Sequence, residues 1–147
     1  MTNGTDRNAP GLDLTSLRDA LSAYERGLRV YRASIADDAP DDVQEVVRAG
    51  VVQTFEFTYE LCWKLMKRWL EANISPNVAF GVTRREFYRI CAENGLIDDV
   101  DRWMEFHSAR NMTSHIYHVD VAEEVAKSAD EFARYAEALL YALERRR

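Results

Sequence analysis

Apolar residues recur at spacings of three and four through most of the chain, which is the period of one face of an α-helix. The alternation of apolar and polar residues that marks a half-buried strand is not found in the sequence. The pattern therefore predicts five helices, over residues 12–35, 41–72, 84–94, 98–117 and 121–146.

Two pairs of residues have the spacing of a capping box, in which a short polar side chain precedes a Glu by three positions. Thr83 and Glu86 predict the start of the third helix, and Asp120 and Glu123 predict the start of the fifth. The fourth helix is accordingly expected to end within residues 115–117.

These helices predict an all-α fold. We expect an antiparallel up-and-down four-helix bundle, with the short third helix as an extra element. Residues 1–11 hold almost nothing apolar and predict a disordered tail, so the bundle domain is expected over residues 12–147. The second helix carries Trp63 and Trp69 beyond its apolar stripe, which predicts contacts on two sides. One side faces the bundle core, and the other faces either a partner subunit or more of the same chain.

Composition narrows the class of protein. With 47% hydrophobic and 30% charged residues, and only 6 Gly and 3 Pro, the chain suits a folded helical domain. The net charge of -6 argues against binding of nucleic acid over the whole surface. Cys62 and Cys91 lie in apolar helical patterns, and no signal peptide or membrane-spanning run is present, so we expect reduced thiols and a cytoplasmic location.

Polar side chains suited to chemistry are concentrated at residues 103–117, between apolar helical segments. Arg110 carries a permanent, fork-shaped charge that suits a phosphate, and His115 titrates near neutral pH. Asn111 can orient a neighbouring group, and Tyr117 offers a hydroxyl. On a continuous helix Arg110 and His115 would lie roughly 140° apart, at about 100° per residue. They would flank a cleft without touching each other.

Two interpretations of this stretch have comparable support from the residues alone. In the first, His115 takes or gives a proton during metal-free cleavage of RNA, while Arg110 stabilises the negative charge of the phosphorane. Asn111 would orient the histidine or hold a phosphate oxygen. In the second, the stretch is a structural helix end, where Arg110 pairs with Glu105 or Asp101 and the histidine satisfies a buried hydrogen bond.

Two further chemistries have weaker support. His107, His115 and His118 have helical spacing for a metal site, but no well-placed carboxylate or thiol completes the ligand set. We therefore expect no metal and no other cofactor. Cys62 or Cys91 could act as a nucleophile, yet neither has an activating base nearby in the sequence.

The second helix carries charges at every fourth position, at Glu56, Glu60, Lys64 and Arg68. Such a ladder is typical of a solvated helix face, since opposite charges four residues apart attract. The alternative is that Glu60 and Lys64 flank the active cleft.

A family resemblance rests on the polar stretch and the long helix. Residues 110–117 read Arg-Asn-Met-Thr-Ser-His-Ile-Tyr, which matches the R-N-x-x-x-H-x-Y signature of HEPN-domain proteins of the HepT type. Residues 55–64, Phe-Glu-Phe-Thr-Tyr-Glu-Leu-Cys-Trp-Lys, then residues 95–97 and Trp103 follow in the matching order. Over residues 14–143 the chain resembles the nucleotidyltransferase substrate-binding protein family.

The resemblance implies a HEPN-like helical bundle that forms a homodimer, with the motifs of two subunits meeting at a shared cleft. It implies a minimal nucleotidyltransferase as partner, in a type VII toxin–antitoxin pair whose toxin is a metal-independent ribonuclease. Arg110 and His115 would then be the catalytic pair, Asn111 the orienting residue and Tyr117 the acceptor of AMP from the partner. Glu60 and Lys64 match the long-helix pattern. The alternative function is a non-catalytic subunit that serves the nucleotidyltransferase.

Overall fold

The computed structural model describes residues 11–146, which contain five α-helices and one short 3₁₀ turn joined by loops. In chain order the helices are α1 (Thr15–Ala36), α2 (Asp41–Asn73), α3 (Arg84–Glu93), α4 (Val100–Asn111) and α5 (Val119–Arg145). The 3₁₀ turn, Thr113–His115, connects α4 to α5. The predicted all-α fold is confirmed. Apart from Gly11, the tail predicted over residues 1–11 lies outside the described residues.

The bundle consists of α1, α2, α4 and α5, and α3 packs against α4 as the extra helix. Its core is aromatic, and Phe132 of α5 lies at the centre. The ring of Phe132 lies between 5.0 and 6.1 Å from five other buried rings, those of Tyr24, Phe55, Tyr59, Trp103 and Phe106. Edge-to-face and tilted contacts of this kind stabilise a core beyond the area they bury. One side chain thus joins α1, α2 and α4 to α5.

One of the two predicted helix starts is confirmed. Thr83 caps α3, because its hydroxyl accepts a hydrogen bond from the Glu86 N–H at 3.1 Å. The predicted cap at Asp120 is wrong, since α5 already begins at Val119 and Asp120 lies in its first turn. A carboxylate there still favours the positive end of the helix dipole, which explains why the sequence resembled a cap.

The fourth helix is shorter than predicted, because α4 ends at Asn111 and the chain continues as the 3₁₀ turn. The buried hydroxyl of Thr113 lies 2.9 Å from the Arg110 carbonyl oxygen and 2.8 Å from a carboxylate oxygen of Glu56 on α2. The first contact satisfies a carbonyl that has lost its helical partner. The second ties the turn to a different helix, which no local sequence signal could show.

Trp63 and Trp69 had predicted that α2 makes contacts on a second side, either with a partner subunit or within the chain. For Trp63 the contacts are within the chain. The guanidinium of Arg84 lies 4.2 Å from the Trp63 ring centroid, and Phe87 meets the ring edge to face. Phe57 remains on the outside of α2 with 59% of its surface exposed. A contact between α2 and a partner subunit stays a prediction, and Phe57 is the aromatic side chain free to make it. No helix in the described part of the chain is long and apolar enough to cross a bilayer.

Candidate functional site

Arg110 lies in the last turn of α4, where it faces two carboxylates of α2. Its Nη1 atom is 3.0 Å from Glu56 Oε2, and its Nε atom is 3.2 Å from Glu60 Oε1. Because Glu56 and Glu60 are four residues apart on one helix, they project from the same face. All three side chains are half-buried, so this Arg110 clamp is screened less than a surface ion pair. Two carboxylates against one guanidinium leave one excess negative charge.

The clamp does not use every donor of the Arg110 guanidinium. Nε approaches Glu60 closely, but the approach lacks hydrogen-bond geometry, and this buried N–H has no acceptor in the described residues. Glu60 also accepts a hydrogen bond of 2.5 Å from the Trp63 indole N–H. A buried donor without an acceptor carries a desolvation cost, which a small shift of Glu60 or an incoming oxygen would relieve.

Asn111 is held by a chain of hydrogen bonds that leads into the core. Its amide nitrogen lies 3.4 Å from His107 Nε2, and His107 Nδ1 lies 3.1 Å from the Tyr59 hydroxyl. The Tyr59 hydroxyl in turn shares a short hydrogen bond with that of buried Tyr88. With Nε2 as the acceptor, Nδ1 carries the proton and donates to Tyr59, an assignment that follows from the bonding pattern. The histidine therefore fixes the amide of Asn111.

The surroundings of His107 favour its neutral form. Burial is the main cause that lowers its pKa, and the positive charges of Arg84 and Arg110 lower it further against the opposing effect of Glu60. A neutral imidazole can donate through one nitrogen and accept through the other, as this chain of bonds requires.

His115 and Tyr117 lie on the outer surface beyond α4. His115 is exposed, and its side chain makes no hydrogen bond or ion pair within residues 11–146. Tyr117 is 78% exposed, with its ring 5.1 Å from that of His118. It borders a cleft of about 170 Å³ beside Arg48 of α2. No hydrogen bond or ion pair joins Arg110 to His115 in the described chain.

A groove runs along the outer face of α2 next to the Arg110 clamp. It measures about 350 Å³ and is lined by Gln53, Glu56, Phe57, Glu60, Leu61 and Lys64. Lys64 is exposed and forms no ion pair in the part of the chain described here. Lys64 thus lines the same groove as Glu56 and Glu60, the two carboxylates of the clamp. That Glu60 and Lys64 flank an active cleft stays a prediction.

The interpretation of residues 103–117 as a structural helix end had paired Arg110 with Glu105 or Asp101. Asp101 instead binds Arg85 at 2.7 Å, and Glu105 binds Arg102 at 3.0 Å. The predicted pairing of Arg110 with either carboxylate is wrong, because α4 turns its Arg110 face towards α2. A buried, hydrogen-bonded His115 is likewise not found, since this side chain is exposed.

The metal and thiol chemistries gain no support. Within residues 11–146 no three His, Cys, Asp or Glu side chains are grouped so that they could hold a metal ion. Both cysteines are free and buried. Burial raises the pKa of the Cys91 thiol to about 12 and that of Cys62 further, so neither forms the thiolate that a nucleophile needs.

Comparison with known proteins decides the family. The profile of the family described as "Nucleotidyltransferase substrate binding protein like" matches residues 12–145, nearly all of the chain. The chain belongs to this family. The resemblance drawn from residues 55–64, 95–97 and 110–117 is thereby confirmed.

A curated protein and a solved structure from Haemophilus influenzae agree with this assignment. The protein named probable ribonuclease HepT of Haemophilus influenzae is 36% identical over 113 residues, which is 75% of this chain and 76% of that protein. A solved structure from Haemophilus influenzae is described as the fold of a substrate binding domain of a nucleotidyltransferase. It matches with a TM-score of 0.82 and 31% identity, over 90% of this chain and 99% of its own. A Thermus thermophilus structure shares the fold, with a TM-score of 0.60 and 24% identity over 82% of this chain and 98% of its own.

Sequence reasoning missed several residues of the site in this family member. Glu56 was seen as part of a charge ladder and of the family pattern at residues 55–64, and His107 as a possible metal ligand, but neither was assigned to the site. Tyr59 and Thr113 were read as helix residues, although one positions His107 and the other bonds Glu56. Each contact joins α2 to the α4 region across at least 48 residues of sequence. The spacing of Glu56 and Glu60 was visible, but their shared partner was not.

Proposed function

We propose that this chain is a metal-independent endoribonuclease of the HepT type and the toxin of a type VII toxin–antitoxin pair. The observation that carries the proposal is the Arg110 clamp, a forked cation fixed beside a surface groove, with an exposed and unbonded His115 on the segment that follows. The relative named probable ribonuclease HepT supports the same activity.

The proposed reaction needs this chain's side chains, the RNA itself and water. The ribose 2′-oxygen attacks the adjacent phosphorus, and the bond from phosphorus to the 5′-oxygen breaks. The 2′-hydroxyl loses a proton and the leaving 5′-oxygen gains one; His115 carries out one of these two transfers and water carries out the other. The Arg110 guanidinium stabilises the negative charge of the phosphorane, and Asn111, fixed by His107, holds a phosphate oxygen. The products are a 2′,3′-cyclic phosphate and a 5′-hydroxyl end.

A homodimer would complete this site. Within the described residues of one chain no hydrogen bond or ion pair joins Arg110 to His115. A second copy of the chain would bring its own Arg110 and His115 to the same cleft. The groove beside the clamp supports this arrangement, because it exposes Phe57, next to the partly buried Leu61, between its charged residues. An aromatic side chain at the centre of a polar rim is typical of subunit interfaces.

The test is cleavage of RNA in the presence of EDTA. We expect the wild-type protein to cut a single-stranded RNA and to leave 2′,3′-cyclic phosphate ends. His115→Ala should lower the rate at least about 100-fold, since general acid–base catalysis typically contributes factors of 10² to 10⁴. His118→Ala is the matched control, because His118 is a neighbouring exposed histidine outside the motif, and its rate should stay near that of the wild type.

Two results would count against the proposal: the first refutes the ribonuclease, and the second refutes the catalytic role of His115. One is absence of cleavage by the wild type together with normal growth of cells that express it without its partner. The other is equal loss of activity in the variants at His115 and His118, which would indicate a structural effect.

We further propose that a minimal nucleotidyltransferase is the partner and that it silences the toxin by adding AMP to Tyr117. The 78% exposure of this side chain leaves its hydroxyl accessible to another enzyme. The oxygen of Tyr117 would attack the α-phosphorus of ATP and release pyrophosphate. Mass spectrometry after incubation with the partner and ATP should show a gain of one or more AMP units on Tyr117. The Tyr117→Phe variant should gain none, and an adduct on Tyr141 instead would contradict the assignment.

One observation favours a second function, that of a non-catalytic subunit of the nucleotidyltransferase. The two carboxylates of the Arg110 clamp outweigh its single positive charge, which weakens attraction for an RNA phosphate. Retained binding of the partner by a wild-type protein that cuts no RNA would establish this function. In both cases we propose a cytoplasmic location, where two buried free thiols stay reduced.

A further inference from the structure

A second cleft lies at the other end of α4, between the α3–α4 loop and the C-terminal half of α5. It measures about 620 Å³, within the range of small-molecule sites. Trp103 lines it from α4. At a rise of about 1.5 Å per residue, Trp103 and Arg110 are separated by roughly 10 Å along the helix. None of the residues that line this cleft belongs to the Arg110 clamp. The proposed ribonuclease reaction does not use the cleft.

The cleft gathers positive charge that the fold leaves unpaired. Arg134, Arg145 and Arg146 line it, and none of them forms an ion pair with a carboxylate in residues 11–146. Asp98 is the acidic residue of the lining, so positive charges outnumber negative ones. Elsewhere five arginines are paired with carboxylates: Arg18, Arg32, Arg85, Arg102 and Arg110. In a chain of net charge -6, such a concentration favours an anionic ligand.

One of the three guanidinium groups is held in place by the backbone. Arg146 Nη1 donates to the Ala142 carbonyl at 3.2 Å, while Nη2 lies over Gly95. A Cβ atom at position 95 would come within 2.6 Å of Nη2. The backbone φ of Gly95 is +76°, which residues other than glycine rarely adopt. Glycine thus allows Arg146 to lie across the loop with donors left for a ligand.

Aromatic rings border the same charges. The Arg134 guanidinium lies 5.2 Å from the ring centroid of Tyr135, and that of Arg145 lies 5.4 Å from the ring centroid of Tyr141. Tyr141 is 61% exposed, so most of its side chain is accessible to a ligand. A phosphate matches the donor fork of arginine, and a nucleobase stacks on a tyrosine ring. Both groups occur together in a nucleotide.

We propose that this cleft binds a nucleotide, with its phosphates at Arg134, Arg145 and Arg146 and its base against Tyr141. The same chemistry is present in a free nucleoside triphosphate and in a nucleotide of an RNA chain. The proposal does not depend on the ribonuclease reaction, because the cleft would bind its ligand whether or not Arg110 and His115 cut RNA.

The experiment is titration calorimetry of the whole chain at low salt. The probes are ATP, inorganic triphosphate and a 2′-O-methyl oligoribonucleotide, which lacks the hydroxyl needed for cleavage. The double variant Arg134→Gln, Arg145→Gln should weaken nucleotide binding at least about tenfold, through the loss of two charge-assisted contacts. The matched control Arg26→Gln, Arg29→Gln removes the same charge from exposed positions of α1 and should bind like the wild type.

The Tyr141→Ala variant tests the contact with the base separately from the contacts with the phosphates. It should weaken ATP binding and leave that of inorganic triphosphate unchanged. If ATP binds and the oligonucleotide does not, the ligand of the cleft is a free nucleotide. If only the oligonucleotide binds, the ligand is RNA. Either result supports the proposal. The proposal is overturned if no probe binds at millimolar concentration, or if both double variants bind equally well.

Discussion

Arg110→Lys is expected to lower RNA cleavage in EDTA at least about 100-fold, although it keeps the positive charge. Removal of one preorganised donor to a developing oxyanion typically costs factors of 10² to 10³ in rate. Lysine offers a single ammonium where arginine offers a planar fork, so it cannot reach Glu56 and Glu60 together and still face a phosphate. The initial rate of cleavage of a labelled RNA measures the effect.

Arg102→Lys is the matched control for this variant. Arg102 also lies on α4 and also binds two carboxylates, those of Glu105 and Glu131, but it is outside the motif. Its replacement should leave the cleavage rate per folded molecule within about twofold of the wild type, since ion pairs at such exposed carboxylates contribute little. Thermal melting of both variants checks that they are folded. If the lysine variants at positions 102 and 110 are equally active, Arg110 has no role in catalysis.

Phe132→Ala is expected to reduce the free energy of unfolding by about 3–5 kcal/mol, the usual cost of truncating a buried aromatic side chain. Five rings from three other helices surround this side chain, and they cannot all close the space that it leaves. For a domain of this length we expect a decrease in Tm on the order of 10 °C. Since Tyr59 touches Phe132 and bonds His107, the site would loosen together with the core.

Phe80→Ala provides the comparison, because Phe80 is 86% exposed in the connector between α2 and α3. Its replacement should change the free energy of unfolding by no more than about 0.5 kcal/mol. Phe132→Leu should fall between the two and remain folded if the alanine variant is not. Urea unfolding followed by circular dichroism gives all three values. Equal stability of the variants at positions 80 and 132 would show that the aromatic cluster does not hold the bundle together.

The sequence by itself determined the helices and named the side chains that are candidates for chemistry. The period of apolar residues is local information, so it predicted all five helices, and the capping-box spacing predicted the Thr83 cap of α3. It also singled out Arg110, Asn111, His115 and Tyr117, because a motif of reactive side chains is visible without a fold. The errors lay at the ends of α4 and α5, where short polar residues bond either along the chain or across it.

Only the tertiary structure decided what these side chains meet. Arg110 had carboxylates within reach along its own helix, but packing turned it to Glu56 and Glu60, which lie 54 and 50 residues earlier in the sequence. His107 bonds Tyr59, and Gly95 lies against the Arg146 guanidinium from the far end of the described chain. The physical reason is common to all of these contacts. Helical periodicity fixes which face of a helix is apolar, whereas the partners of its polar residues depend on how the helices are placed against one another.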